Sequence, residues 1–263
     1  MPRREQALSL AASLRLRVRI PCRSVGTPDA SCQIPMITAN SRVRLTADDF
    51  DFIVRALSIK ESDRISLESL LTDEEARDEI LDHEALAHAV LESSGRLSIS
   101  PHLMFYVLCR RVLRETGARS REASDFVASM LEGFSRTARV YGSDAGVNTA
   151  YLSDMMIALG RANDSEAFLL RSHMANYSLF VSGIFVENLA KRKERGAPDV
   201  TYYEKLGGMN YRVAAEYRDA RKYHLSEIYE ELSRSFREVR IALNDLAARF
   251  LHLDSPDLPI IAA

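Results

Sequence analysis

Between Met174 and Val186 the chain runs for 13 residues without a charge, and Met174, Tyr177, Leu179, Phe180, Val181, Ile184, Phe185 and Val186 leave it almost no polar side. A helix apolar nearly all round must be covered on several sides, so this stretch predicts the middle member of a helical bundle. Its flanks spell out both ends. Asn163 with Glu166 forms a capping box, and Lys191, Arg192, Lys193 and Arg195 meet the negative carboxyl end before Gly196 and Pro198 stop the helix. The expectation is one unbroken helix over about 164–195, on the order of 48 Å long at the α-helical rise. The apolar run falls short of the roughly 18 to 20 residues of a membrane span and contains Asn176, Ser178 and Ser182. No membrane insertion is therefore expected.

The other segments read as helices that could cover this rod. Thr46 with Asp49 boxes the start of a helix to about Ser58, and Thr72 with Glu75 that of a helix to about Ser94. Ser100 with Pro101 opens a third, Ser120 a fourth, and Thr149 a fifth to Ala162 that packs Tyr151, Leu152, Met155, Met156 and Leu159. Thr201 with Glu204 marks another beyond Pro198. No useful strand alternation and no internal repeat occurs. The fold class is all-α, a single bundle of seven to nine helices over residues 45–253. A hinge candidate lies at 141–148, where two glycines, Ser143 and Asp144 cluster, and the tail at 254–263 is expected to be flexible.

Residues 1–35 are compositionally foreign. Six arginines against Glu5 and Asp29 give them +4, so the remainder of a chain with net charge −2 carries −6. With Pro21, Pro28 and Pro35 and little apolar content, the segment to about residue 40 reads as a disordered extension or an upstream start before Met36. An organellar leader is the minority reading. Over 263 residues with 46% hydrophobic content a sizeable core can form, and a pI near 6.3 disfavours wholesale nucleic-acid binding. Cys22, Cys32 and Cys109 form neither a disulfide set nor a zinc framework, which favours a reducing, cytoplasmic setting.

Signatures of phosphate-loop, dinucleotide and hydrolase-elbow chemistry are missing. No histidine has a carboxylate three residues before it, as a di-iron bundle requires. Glu79/His83 and Glu84/His88 point roughly 140° apart on a helix, too far to share a metal, and suit ion pairing with a half-buried His83. Neither a metal nor a cofactor is expected.

Contact surfaces are the better candidates. Leu232, Phe236, Val239, Leu243, Leu246 and Phe250 recur, with Leu253, at heptad steps, a seam that fits one partner helix. Packing inside the bundle competes with a homodimer or a partner protein for that seam. Between Glu61 and Glu84 ten acidic residues face only Arg64 and Arg77, a solvated face or a site for a basic partner. The leading reading is a non-enzymatic helical protein that acts through protein contacts.

Two alternatives stand beside it. Arg218-Asp-Ala-Arg-Lys-Tyr-His224 is similar to the Arg-x4-6-His motif of the HEPN superfamily of helical ribonucleases. That resemblance implies an Arg218/His224 pair cleaving RNA near a dimer interface; the same gap also recurs at Arg77/His83 and Arg96/His102. Around it, Tyr202, Tyr203, Tyr211, Tyr217 and Tyr223 alternate with Lys205, Arg212, Arg218, Arg221 and Lys222, a pattern that can stack bases and neutralise phosphates. Finally, Ala175, Ser178, Ser182 and Gly183 leave room either for close helix packing or for a small apolar ligand beside Tyr177 and Phe180.

Overall fold

The computed structural model describes residues 36–58, 60–92, 99–141, 149–194 and 196–248. Expectations for residues 1–35, for the hinge beyond Tyr141, for Phe250 and for the tail lie outside them. Among the described residues there are thirteen α-helices, a 3-10 turn at Arg42–Arg44 and no strands. The helices are α1 Ala47–Leu57, α2 Glu61–Leu70, α3 Glu74–Leu81, α4 Glu84–Glu92, α5 Pro101–Leu113, α6 Arg121–Tyr141 and α7 Thr149–Leu159. They continue with α8 Asp164–Ile184, α9 Val186–Lys193, α10 Val200–Glu216, α11 Arg218–Lys222, α12 Ser226–Arg234 and α13 Phe236–Leu246.

The all-α bundle around residues 164 onward is what forms. Every residue from Ser172 to Ile184 is buried, and α8 packs most extensively on α10, then on α13 and α7. Asn163 and Glu166 make the expected box, with bonds of 3.1 and 3.0 Å. Asn176, the polar residue in the apolar run, accepts a 2.7 Å bond from the buried Tyr211 hydroxyl. That ring belongs to an aromatic hub: Tyr211 lies 5.2 Å from Tyr229 and 6.1 Å from Phe236, and Tyr229 meets Phe126 edge-on at 5.4 Å. Each such pair adds about 1 kcal/mol beyond area burial and here joins α6, α10, α12 and α13.

The rod is not unbroken. Phe185 leaves helical geometry at φ −119°, ψ 39°, and α9 restarts beyond it. In a continuous helix the carbonyls of Ser182 and Gly183 would be taken by the amides of Val186 and Glu187. Instead the Asn244 side-chain amide of α13 donates to both, at 3.1 Å to Ser182. Close approach makes this reach feasible, because a Cβ on Gly183 would lie 3.0 Å from that of Leu243.

Other long helices divide for similar reasons, which is why thirteen appear where seven to nine were expected. The 72–94 helix is interrupted at Asp82 and His83, and its cap is Asp73, not Thr72: Asp73 accepts from the Ala76 amide at 2.9 Å. Likewise Asp199 replaces Thr201 as the cap of α10, at 3.1 Å from the Tyr202 amide. The seam helix bends at Ser235, whose hydroxyl donates back to the Glu231 carbonyl at 2.6 Å, a bond that competes with the helical ladder. In α7, Leu152 and Met155 point inward as expected, whereas Met156 is exposed.

The fold begins before Leu45. Met36, Ile37 and Ala39 pack on the core, contrary to an extension reaching residue 40. The Ser41 amide donates to Asp125 at 2.6 Å, and Arg42 bonds to Asp125 at 3.2 Å, to Asp78 and, more weakly, to Glu122 at 3.3 Å. Burial raises the Asp125 carboxyl pKa, an effect offset in part by bonds from Arg42 and Ser41. Arg42 also lies 5.8 Å from the centre of the Tyr106 ring, so one guanidinium fastens the start of the fold to α3, α5 and α6.

Candidate functional site

Asp82 ends α3, where a carboxylate opposes the helix dipole and requires cationic neighbours. They come from two other helices: Arg110 grips both its oxygens at 2.7 and 3.0 Å, and Arg121 adds a bond of 3.2 Å. Burial would raise its pKa, but Arg110 and Arg121 prevail and hold it below the ordinary value. The Asp82 carbonyl accepts from Arg114 at 3.1 Å. His83 is exposed, not half-buried, because it caps α4: its Nδ1 accepts from the Ala85 amide at 3.2 Å.

This junction forms one wall of a cleft of about 510 Å³, closed on the other sides by the end of α5 and by α13. Leu81, Ala87 and Val107 contribute apolar lining, and Ile241 enters from α13 with 48% of its surface exposed. Charges of both signs line it as well, Arg111 and Arg114 with Glu115 and Asp245. Arg111 has one buried guanidinium nitrogen with no hydrogen bond. Glu238, also at the rim, accepts the Gly117 amide at 2.6 Å, which fixes α13 against the α5–α6 loop.

The seam residues face the other way. Leu232, Val239, Leu243 and Leu246 are fully buried and Phe236 nearly so, all inside this chain's own core. As a surface open to a partner the seam is thereby corrected: a residue enclosed by its own bundle meets a second protein only if the helix undocks. The accessible side of the C-terminal helix is the one that carries Ile241.

Arg218 and His224 sit at opposite ends of the five-residue α11, both exposed. Arg218 lines a second cleft, about 760 Å³, with Asp164, Glu216, Tyr217, Asp219 and Lys222, and His224 is not part of its lining. His224 has φ +56°. Its amide bonds to the Arg221 carbonyl at 3.2 Å and that of Leu225 to Ala220 at 2.8 Å, the bond pair of a Schellman cap in which glycine is the usual residue. Left-handed backbone at a side-chain-bearing residue costs about 1 kcal/mol. A His224→Gly variant is thus expected to be about 1 kcal/mol more stable, seen as a rise of about 2–4 °C in Tm.

Of the five tyrosines in the basic stretch, Tyr203 and Tyr211 are buried and Tyr217 is half-buried, leaving Tyr202 and Tyr223 exposed. Ala175, Ser178 and Ser182 are fully buried, and Gly183 meets Leu243, so close packing uses the small residues; neither cleft is lined by Tyr177 or Phe180. The acidic stretch divides. Asp78 and Asp82 turn inward to arginines, while Glu68, Asp73, Glu74, Glu75, Glu79 and Glu84 remain exposed. His88 approaches Glu84 at 3.7 Å, and no group of three metal-ligating side chains occurs among the described residues. No helix there is long and apolar enough to cross a membrane.

The Asp82–Arg110–Arg121 junction is not legible in sequence spacing. Its one signal was an aspartate where a helix would favour a cation, and that signal names no partners.

Compared with known proteins, the chain matches no protein family, no curated protein and no solved structure.

Proposed function

We propose that this chain is a non-enzymatic helical protein that works by binding a partner protein, and that the partner is received in the cleft between the α3–α4 junction, the end of α5 and α13. The observation that carries this reading is Ile241, a large apolar side chain 48% exposed at a cleft with apolar lining and charges of both signs. Such a site can seat an apolar anchor and orient it by ion pairs at the rim, the arrangement of most protein-binding hot spots. The Asp82–Arg110 pair, made at 2.7 Å within the chain itself, holds the wall together before the partner arrives, which lowers the ordering cost of binding.

The test compares wild type with Ile241→Glu, each cross-linked in the host cell and purified. An exposed residue changes stability by only about 0.5 kcal/mol, so folding is retained. A protein that cross-links to wild type and is reduced at least about tenfold by Ile241→Glu, a loss of about 1.4 kcal/mol, is the expected result. Equal recovery with both would overturn the cleft as the binding site.

A further inference from the structure

α10 turns one side to solvent along its length. Tyr202, Lys205, Met209 and Arg212 follow at steps of three, four and three and are all exposed. At 100° per residue these steps keep the four within about 80° of one another, on one stripe. The positive charge continues through Arg218, Arg221 and Lys222 on α11, all exposed. None of these five cations is in an ion pair among the described residues. The carboxylates at the start of α10 are already engaged: Glu204 lies 2.7 Å from Arg240, and Asp199 accepts from the Tyr202 amide at 3.1 Å and from Lys193 at 3.2 Å. On α10 and α11 that leaves Glu216, exposed, and Asp219, half-buried, against five positive charges in a chain whose net charge is −2.

Aromatic rings flank the charges. Tyr202 begins the stripe, 38% exposed, and Tyr223 follows its last cation, 36% exposed, with the Lys222 ammonium 5.0 Å from its ring centre. A cation held against a ring sets a stacking surface beside a phosphate contact. A single nucleic-acid strand uses both, its bases stacking on rings while its phosphates meet uncommitted cations.

We propose that the α10–α11 face binds single-stranded nucleic acid, along a track from Tyr202 to Tyr223. Stacking faces and phosphates are common to every base sequence, so the binding is indifferent to sequence. A protein partner suits this face less, because protein interfaces deplete charge at their centre, and the centre here is Lys205 and Arg212 around Met209. A bilayer suits it less too. Binding to a lipid surface grows with the apolar area inserted, and Met209 is the one aliphatic side chain exposed on α10 and α11 among the described residues. The proposal is of binding alone and gives His224 no part. It is also separate from the Ile241 cleft on α13, so either assignment can fail without the other.

Fluorescence anisotropy of a labelled oligothymidylate of about 15 nucleotides, titrated with the full chain between about 0.02 and 0.2 M salt, tests the track. Five phosphate contacts at about 0.7 each on a single strand require log K to fall against log salt with a slope of about −3.5. Arg221→Ala/Lys222→Ala is expected to reduce that slope to about −2. Tyr202→Ala is expected to weaken binding about tenfold with the slope unchanged, because a ring is lost and no charge. Lys205→Glu/Arg212→Glu is expected to weaken it at least about a hundredfold at the lowest salt. All of these side chains are exposed, so the variants keep the fold. No binding by wild type at the lowest salt, a slope shallower than about −1, or affinity that survives Lys205→Glu/Arg212→Glu would each overturn the track. So would a wild type that ignores the oligonucleotide and sediments with vesicles containing about 30% phosphatidylserine, which would assign the face to an anionic lipid surface.

Discussion

Alanine at Gly207 is expected to destabilise the protein by about 2 kcal/mol, and alanine at its neighbour Gly208 to stabilise it by up to about 1 kcal/mol. Both glycines lie inside α10, where alanine gains about 1 kcal/mol of helix propensity, so propensity alone gives the two substitutions the same sign. The space around them differs. A Cβ on Gly207 would collide with two carbons of the Phe236 ring and lie 3.0 Å from the Cβ of Ser178, whereas one on Gly208 would have its nearest neighbour at 3.6 Å, an ordinary contact. Phe236 has little room to yield because it is 4% exposed and packed 6.1 Å from Tyr211. Overpacking of this kind costs about 3 kcal/mol, which outweighs the propensity gain. Denaturant unfolding of the two single variants measures the difference in sign. Phe236→Leu should remove most of the Gly207→Ala penalty in a double-mutant cycle, and additive effects would show that the clash is not with that ring.

That crossing shows why some of the architecture could be read from the chain and some could not. The apolar girth of residues 174–186 required covering helices, and they are present; small residues there implied close approach, and Gly183 against Leu243 supplies it. Capping boxes at Asn163 and Thr46 formed because they join residues three apart, and nothing distant competes with them. Helix continuity was not legible in the same way. The ends at Ile184 and Leu81 depend on Asn244 and Arg110, each far away in sequence and drawn near only by the finished fold. A heptad pattern likewise marks which side of α12 and α13 is apolar but not what covers it. Here the cover is the chain's own core, which moves the candidate contact surface to the opposite side, at Ile241. The Schellman turn at His224 is not legible in the sequence because its diagnostic glycine is missing.

Stability is expected to fall by about 3 kcal/mol between pH 7 and pH 4 through His173 alone. This imidazole is buried in α8, 6.0 Å from the Phe134 ring, and burial lowers its pKa from 6.5 to about 4. In the unfolded chain the same side chain takes up a proton near its ordinary value. Between those two values the unfolded state therefore binds more protons than the folded one, and the linkage relation makes stability decrease as the pH drops through that window. Above about pH 7 both states are neutral and the effect vanishes; below about pH 4 both are protonated and the loss levels off. Half-buried carboxylates such as Asp82 add their own acid dependence at lower pH, so the informative quantity is a difference between proteins. A His173→Asn variant, less stable at pH 7 for lack of packing, should lose about 2 kcal/mol less than wild type when urea unfolding at pH 7 is compared with pH 5. Parallel pH profiles for the two proteins would mean that the imidazole is charged inside the fold, and the helix it occupies would then have to be more open to water than the bundle described above.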